Sequence, residues 1–237
     1  LPTGEPPTDL THIVNGEVAG ESLKTEIVLV NASLSGTVTG VFRNIHGLRM
    51  EVELEGYGPV TEFAFNLARG QAAVLKTSGR GVFKTGWLQL NPWGDIHAVA
   101  LVTQSNAVSS TEAAIQPSQL RNFSFAFDTT DPALDTGFTV VAPPGNMTDV
   151  TLNLFDESGH LAATRQTQWV PLQKQAQFAT ELFPEIGEKG IKRGLISIST
   201  NQFVFATILR QHKVTLPGVA APAYRLTTLP LAPRVLE

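Results

Sequence analysis

Residues 150–161 read VTLNLFDESGHL, and residues 38–48 read VTGVFRNIHGL. In both, an apolar alternation runs into a polar turn that carries a glycine, and the two lie about 110 residues apart. Working outward, LKTEIVLVN (23–31) matches LDTGFTVVA (134–142) at a similar spacing. FNLARGQAAVL (65–75) echoes the slightly longer VPLQKQAQFATEL (170–182). TGWLQLNPWGDIHAVAL (85–101) echoes RGLISISTNQFVFATIL (193–209), with Gly86 facing Gly194. The ends agree as well, EAAIQP (112–117) against RLTTLP (225–230). Identity is low, but order and spacing hold along the whole chain. The matched positions are strand cores and turn glycines. This predicts two copies of one domain, 8–117 and 118–232, with the boundary near Gln116–Gln119. A period this long is tandem domain duplication, because solenoid units are much shorter and cannot bury a core alone.

The local pattern is β. RMEVELE (49–55) alternates strictly, placing Met50, Val52 and Leu54 on one face and Glu51, Glu53 and Glu55 toward solvent. LISIS (195–199) and FVFATIL (203–209) read as two further strands. Turn signals such as SGR, PWGD, PPGN and ESGH recur at short intervals, which suits a sandwich of about seven strands per copy. The predicted fold class is all-β: two tandem immunoglobulin-like β-sandwich domains related by internal duplication. One helical turn is expected at ATELF (179–183), stopped by Pro184.

Of 237 residues, 42% are hydrophobic and 16% charged, so the chain can fold around ordinary apolar cores despite few charges. The formal net charge is −4 and no basic stripe alternates with aromatics, which argues against nucleic acid as a partner. No apolar run approaches a membrane-spanning length, so membrane insertion is not expected. With no cysteine there are no disulfides, thiolate metal sites or cysteine nucleophile. The opening LPTGEPPTDL has no signal-peptide pattern and reads as a mature or trimmed start.

The strand TEIVLVN or TGFTVVA, the turn FDESGHL, the ATELFP turn and the late strand GLISISTNQFVFATIL together resemble a tandem β-sandwich repeat of secreted and surface proteins of soil bacteria. The first copy departs from that pattern: TEI stands where the second has TGF, and it lacks the Leu-Phe-Pro turn. The resemblance implies an extracellular or cell-surface location and an exported bacterial protein. It implies no chemistry.

Motifs with clear catalytic mechanics are absent: no Gly-x-Ser-x-Gly elbow, no His-Glu-x-x-His, no phosphate-cradling loop and no dinucleotide fingerprint. Glu51, Glu53, Glu55 and Glu62 could be read as a glycosidase pair, but the first three share one solvent face of one strand. The histidines His12, His46, His97, His160 and His212 show no metal spacing, although His46 and His160 fall in the matched turn. FDTTDPALDTG (127–137) is the best metal candidate, with Asp128, Asp131 and Asp135 as carboxylates for calcium. Asp-seeded turns explain the same stretch, and they are the preferred reading. Three Asn-x-Ser/Thr triplets, at Asn31, Asn122 and Asn146, carry little weight in a bacterial chain.

Trp93 in the turn NPWGD, Trp169 after a polar stretch and Tyr57 in GYGP are candidate platforms for sugar rings, which stack on exposed aromatics. Trp87, beside Leu88 and Leu90, reads as core. The expected function is therefore a non-enzymatic extracellular structural or adhesive module. Its partner would be a protein or polysaccharide at a surface, and no cofactor is required. A carbohydrate-binding module using Trp93, Trp169 and Tyr57 is the alternative, and a hydrolase the least favoured. Unpaired edge strands leave monomer and dimer both open.

Overall fold

The computed structural model describes residues 9–214, 223–229 and 231–233. The opening stretch 1–8 and Pro230 of the RLTTLP echo lie outside the described residues. By internal contacts the chain divides into two compact units, Leu1–Ser118 and Gln119–Glu237. Both are built of antiparallel strands.

The first unit holds β1 (Leu10–Val18), β2 (Glu21–Asn31), β3 (Ser35–Asn44), β4 (Val52–Leu54), β5 (Gly58–Val60), β6 (Glu62–Ala68), β7 (Ala72–Lys76), β8 (Lys84–Trp93), β9 (Ile96–Ser105) and β10 (Ser110–Ile115). One ladder runs β1-β8-β3-β6 and the other β10-β9-β2-β7. β1 joins them: Leu10–Asn15 pairs with β8, while Gly16–Val18 pairs with the start of β2. The inward faces follow the period of two. Ile27 and Leu29 of β2, Val38 and Phe42 of β3, and Leu88 and Leu90 of β8 are all buried. Each such side chain contributes about 1.5–3 kcal/mol on leaving water.

The second unit holds β11 (Gln119–Asp128), β12 (Leu134–Val141), β13 (Thr148–Asp156), β14 (Leu161–Trp169), β15 (Lys174–Phe178), the one-turn helices α1 (Ala179–Leu182) and α2 (Glu185–Glu188), β16 (Arg193–Val214), β17 (Ala223–Leu229) and β18 (Ala232–Pro233). Its ladders run β18-β11-β16-β13-β14 and β15-β12-β16-β17. Phe123, Phe125 and Phe127 of β11 meet Phe138, Leu152, Ile196 and Ile198 in one core. The two helices close it with Leu182, Phe183 and Ile186. α1 begins where Glu181 accepts the Phe178 N–H at 2.9 Å, and Pro184 follows directly after Phe183.

Placing β11 on β1, β12 on β2, β13 on β3, β14 on β6, β15 on β7 and β16 on β8 with β9 puts the main ladders of the two units in the same order. Two differences stand out. LISIS and FVFATIL, expected as separate strands, form the single 22-residue β16. The first unit breaks the same run at Gly94, whereas Thr200-Asn201-Gln202 contains no glycine or proline to end a strand. RMEVELE keeps its alternation of burial, but only Val52–Leu54 is strand, in a small hairpin with β5 that the second unit lacks. In the first unit β8 lies between β1 and β3, and β9 lies between β2 and its neighbour β10.

Candidate functional site

The turns that opened the sequence comparison are built alike. Asn44 Oδ1 accepts the N–H groups of His46 at 2.9 Å and Leu48 at 3.1 Å. Asp156 Oδ1 accepts those of Ser158 and His160, both at 2.9 Å. Gly47 and Gly159 each donate back to the Asn44 or Asp156 carbonyl at 3.0 Å, and both sit at φ 79°, where only glycine is relaxed. His46 therefore corresponds to Ser158, and His160 to Leu48. The two histidines share a turn without sharing a station, so they are not a repeated pair. The His160 and Ser158 N–H groups hold the Asp156 carboxyl below the usual carboxylate range.

An open groove of about 660 Å³ flanks the second turn. Its floor is the outer side of the β11-β16-β13 ladder. Leu195, 39% exposed, lies between Ala126 and Phe155, and Ser197 lies between Ser124 and Asn153. Ser197 is 3% exposed, and its hydroxyl has no hydrogen-bond partner. Arg193 and Glu157 stand at the rim, with Arg193 Nε on Asp128 Oδ2 at 3.0 Å. In the first unit the corresponding station holds Trp87, fully buried, with the Arg43 guanidinium 5.8 Å from its ring centre. Arg43 also bonds Gln89 at 2.8 Å and the Gly47 carbonyl at 2.6 Å. Neither Leu195 nor Ser197 was singled out from sequence. The available signal was the contrast of GWLQL (86–90) with GLISI (194–198), where an indole and an amide give way to smaller groups.

The three candidate aromatics do not form one platform. Trp169 is buried and packs on Phe138 with ring centres 6.4 Å apart, so its faces are not open to a ligand. Trp93 is 65% exposed at the end of β8, opposite Thr37. Tyr57 is 61% exposed at the tip of the β4–β5 hairpin, which Lys84 anchors through the Glu51 carbonyl at 2.8 Å. Lys84 and Trp93 are the two ends of β8, about 30 Å apart at the usual strand rise. Trp87 is core, as read from sequence, although it lies on the side of β8 opposite Leu88 and Leu90.

Asp128, Asp131 and Asp135 do not converge on one point. Asp128 accepts from the Thr130 N–H at 2.9 Å and from Arg193, and these contacts, with the Thr130 hydroxyl first, bring its carboxyl down to about 2. Asp131 accepts from Ala133 N–H at 2.8 Å and lies 3.2 Å from His212 Nε2. Asp135 bonds the Thr136 N–H at 2.8 Å, and burial raises its carboxyl. Each carboxylate accepts a nearby backbone N–H, Asp128 and Asp131 in turns and Asp135 at the start of β12. Among the described residues no three His, Asp or Glu side chains are grouped to hold a metal ion. Glu51 and Glu62 pair with Lys84 and Arg49, and Glu53 and Glu55 line shallow depressions with Ser78 and Arg80. Asn31 is fully buried and donates to the Leu67 carbonyl at 2.8 Å, which removes it as a glycan acceptor.

Two ionisable groups stand well away from their ordinary ranges. Burial pushes the Asp9 carboxyl up to about 6, against the Leu90 N–H it accepts at 2.9 Å. Burial brings the Lys174 ammonium down to about 7. They sit in different units.

No protein-family model, no curated protein and no solved structure matches the chain. Among the described residues, no helix is long and apolar enough to cross a membrane.

Proposed function

We propose that the chain is a non-enzymatic structural or adhesive module of an exported bacterial protein, displayed outside the cell and made from one β-sandwich domain written twice. The observation that carries the reading is the shared pairing order of the two units, down to the Asn44 and Asp156 turns. Duplicated two-layer domains serve as spacers or display surfaces, and their outward turns are the parts free to vary. The immunoglobulin-like description rests on the antiparallel ladders that each unit carries. The extracellular location rests on the sequence resemblance alone.

The test has two arms. Antibodies against the chain should label intact cells of the producing bacterium, and the purified chain should turn over no ester, glycoside or peptide substrate. Labelling confined to lysed cells, or a measurable turnover, would overturn the proposal. The carbohydrate reading on Trp93, Trp169 and Tyr57 is the less favoured, since Trp169 is buried while Trp93 and Tyr57 are exposed separately, at the end of β8 and on the β4–β5 hairpin.

A further inference from the structure

One difference between the two units lies on the outer side of the β11-β16-β13 ladder. Where the first buries Trp87 beneath Arg43, the second leaves a groove over Leu195 and Ser197. Its volume, about 660 Å³, falls within the ~300–1,000 Å³ of small-molecule sites. Leu195 and the neighbouring Phe155 supply an apolar part of its lining, and Ser197 and the neighbouring Ser124 a polar one. The Ser197 hydroxyl is withdrawn from water and bonds to nothing, a state that costs about 1–3 kcal/mol until a partner arrives.

The charges at the rim decide the ligand class. Arg193 is engaged by Asp128, and the Asp156 carboxylate is engaged by its turn. Arg193, the cation that lines the groove, is already paired with Asp128, and Glu157 adds a carboxylate at the mouth, which together disfavour an anion. We propose that this groove binds a neutral saccharide. A pyranose presents an apolar C–H face, which suits Leu195 and Phe155. It carries hydroxyls that both donate and accept, which suit Ser197 and Glu157. The inference supplies a ligand for the adhesive module and rests on that reading only for its biological sense. Binding is tested on the purified chain, and surface display is tested separately by cell labelling.

The experiment is a titration of the full chain with neutral oligosaccharides of glucose, galactose and N-acetylglucosamine, followed by amide chemical shifts, with polygalacturonate as the anionic control. Shifts are expected around Leu195, Ser197 and Glu157 for at least one neutral sugar. Leu195→Trp, which rebuilds the filled state of the first unit, and Ser197→Val, which removes the hydroxyl, should each weaken binding at least about tenfold. Trp93→Ala should leave it unchanged. The proposal fails if no neutral sugar shifts these amides at about 10 mM, well above a millimolar Kd. It also fails if only the anionic polymer binds, or if binding survives both groove substitutions. If Leu195→Trp does not fold, Ser197→Val and the wild-type shift map decide.

Discussion

Gly86 and Gly194 occupy the same station of their ladders. Gly86 pairs with Asn44 and with Ile13, and Gly194 pairs with Asp156 and with Phe127. A Cβ on Gly86 would strike the Arg43 carbonyl oxygen, and one on Gly194 the Phe155 carbonyl oxygen. Each carbonyl belongs to a neighbouring strand, so no side chain can swing away to make room. Gly86→Ala and Gly194→Ala should each destabilise their own unit by about 1–3 kcal/mol. Gly187→Ala is the control: it sits in α2 with nothing within 4 Å and should be neutral or slightly stabilising. Chemical denaturation of the three variants measures the difference.

The tryptophans should report burial directly. Trp87 and Trp169 are 0% and 5% exposed, and Trp93 is 65% exposed. Acrylamide should quench one indole readily and leave two protected, and Trp93→Ala should remove the quenchable fraction. Ready quenching that persists in Trp93→Ala would contradict the packing on Phe138 or beneath Arg43.

Stability should depend on pH with opposite signs in two windows. Asp9 titrates higher in the folded chain, about 6 against an ordinary 3.8, so the folded state holds more protons between these values. Stability therefore falls as pH rises through that window, by an amount on the order of 3 kcal/mol. Asp9→Asn should abolish the fall. Lys174 titrates lower, about 7 against 10.5, so the unfolded state holds more protons between them. Stability should rise with pH above 7, and Lys174→Met should remove the rise. Urea midpoints from pH 4 to pH 10 read both.

Calcium should leave the melting temperature unchanged at millimolar concentration. Asp128, Asp131 and Asp135 already accept nearby backbone N–H groups, and Asp128 also holds Arg193. A rise of several degrees would mean that the loop rearranges around the ion.

Much of the strand plan was legible in the sequence because strands leave a period-two signal and turns leave glycines. The sequence comparison sets Ile27 and Leu29 against Phe138 and Val140, and all four are buried. The joining of LISIS to FVFATIL was not legible. A strand that passes from one layer to the other keeps its alternation throughout, so nothing local marks the crossing. The candidate site was the least legible part. Trp169 follows a polar stretch, TRQTQ, that belongs to an exposed edge strand, yet its own ring turns in against Phe138. In sequence, Ser197 is one polar position within LISIS. What makes it notable is the missing partner across two neighbouring strands, which one segment cannot reveal.

The unbroken β16 also bears on how the chain would respond to tension along its length. In the second unit, β11, β12, β13 and β17 all grip one continuous rod, so stretching must shear several ladders together. The first unit divides that rod at Gly94, and its corner can yield while β8 stays seated between β1 and β3. Pulled from its ends, the chain should extend in two steps, with the first unit giving way at the lower force.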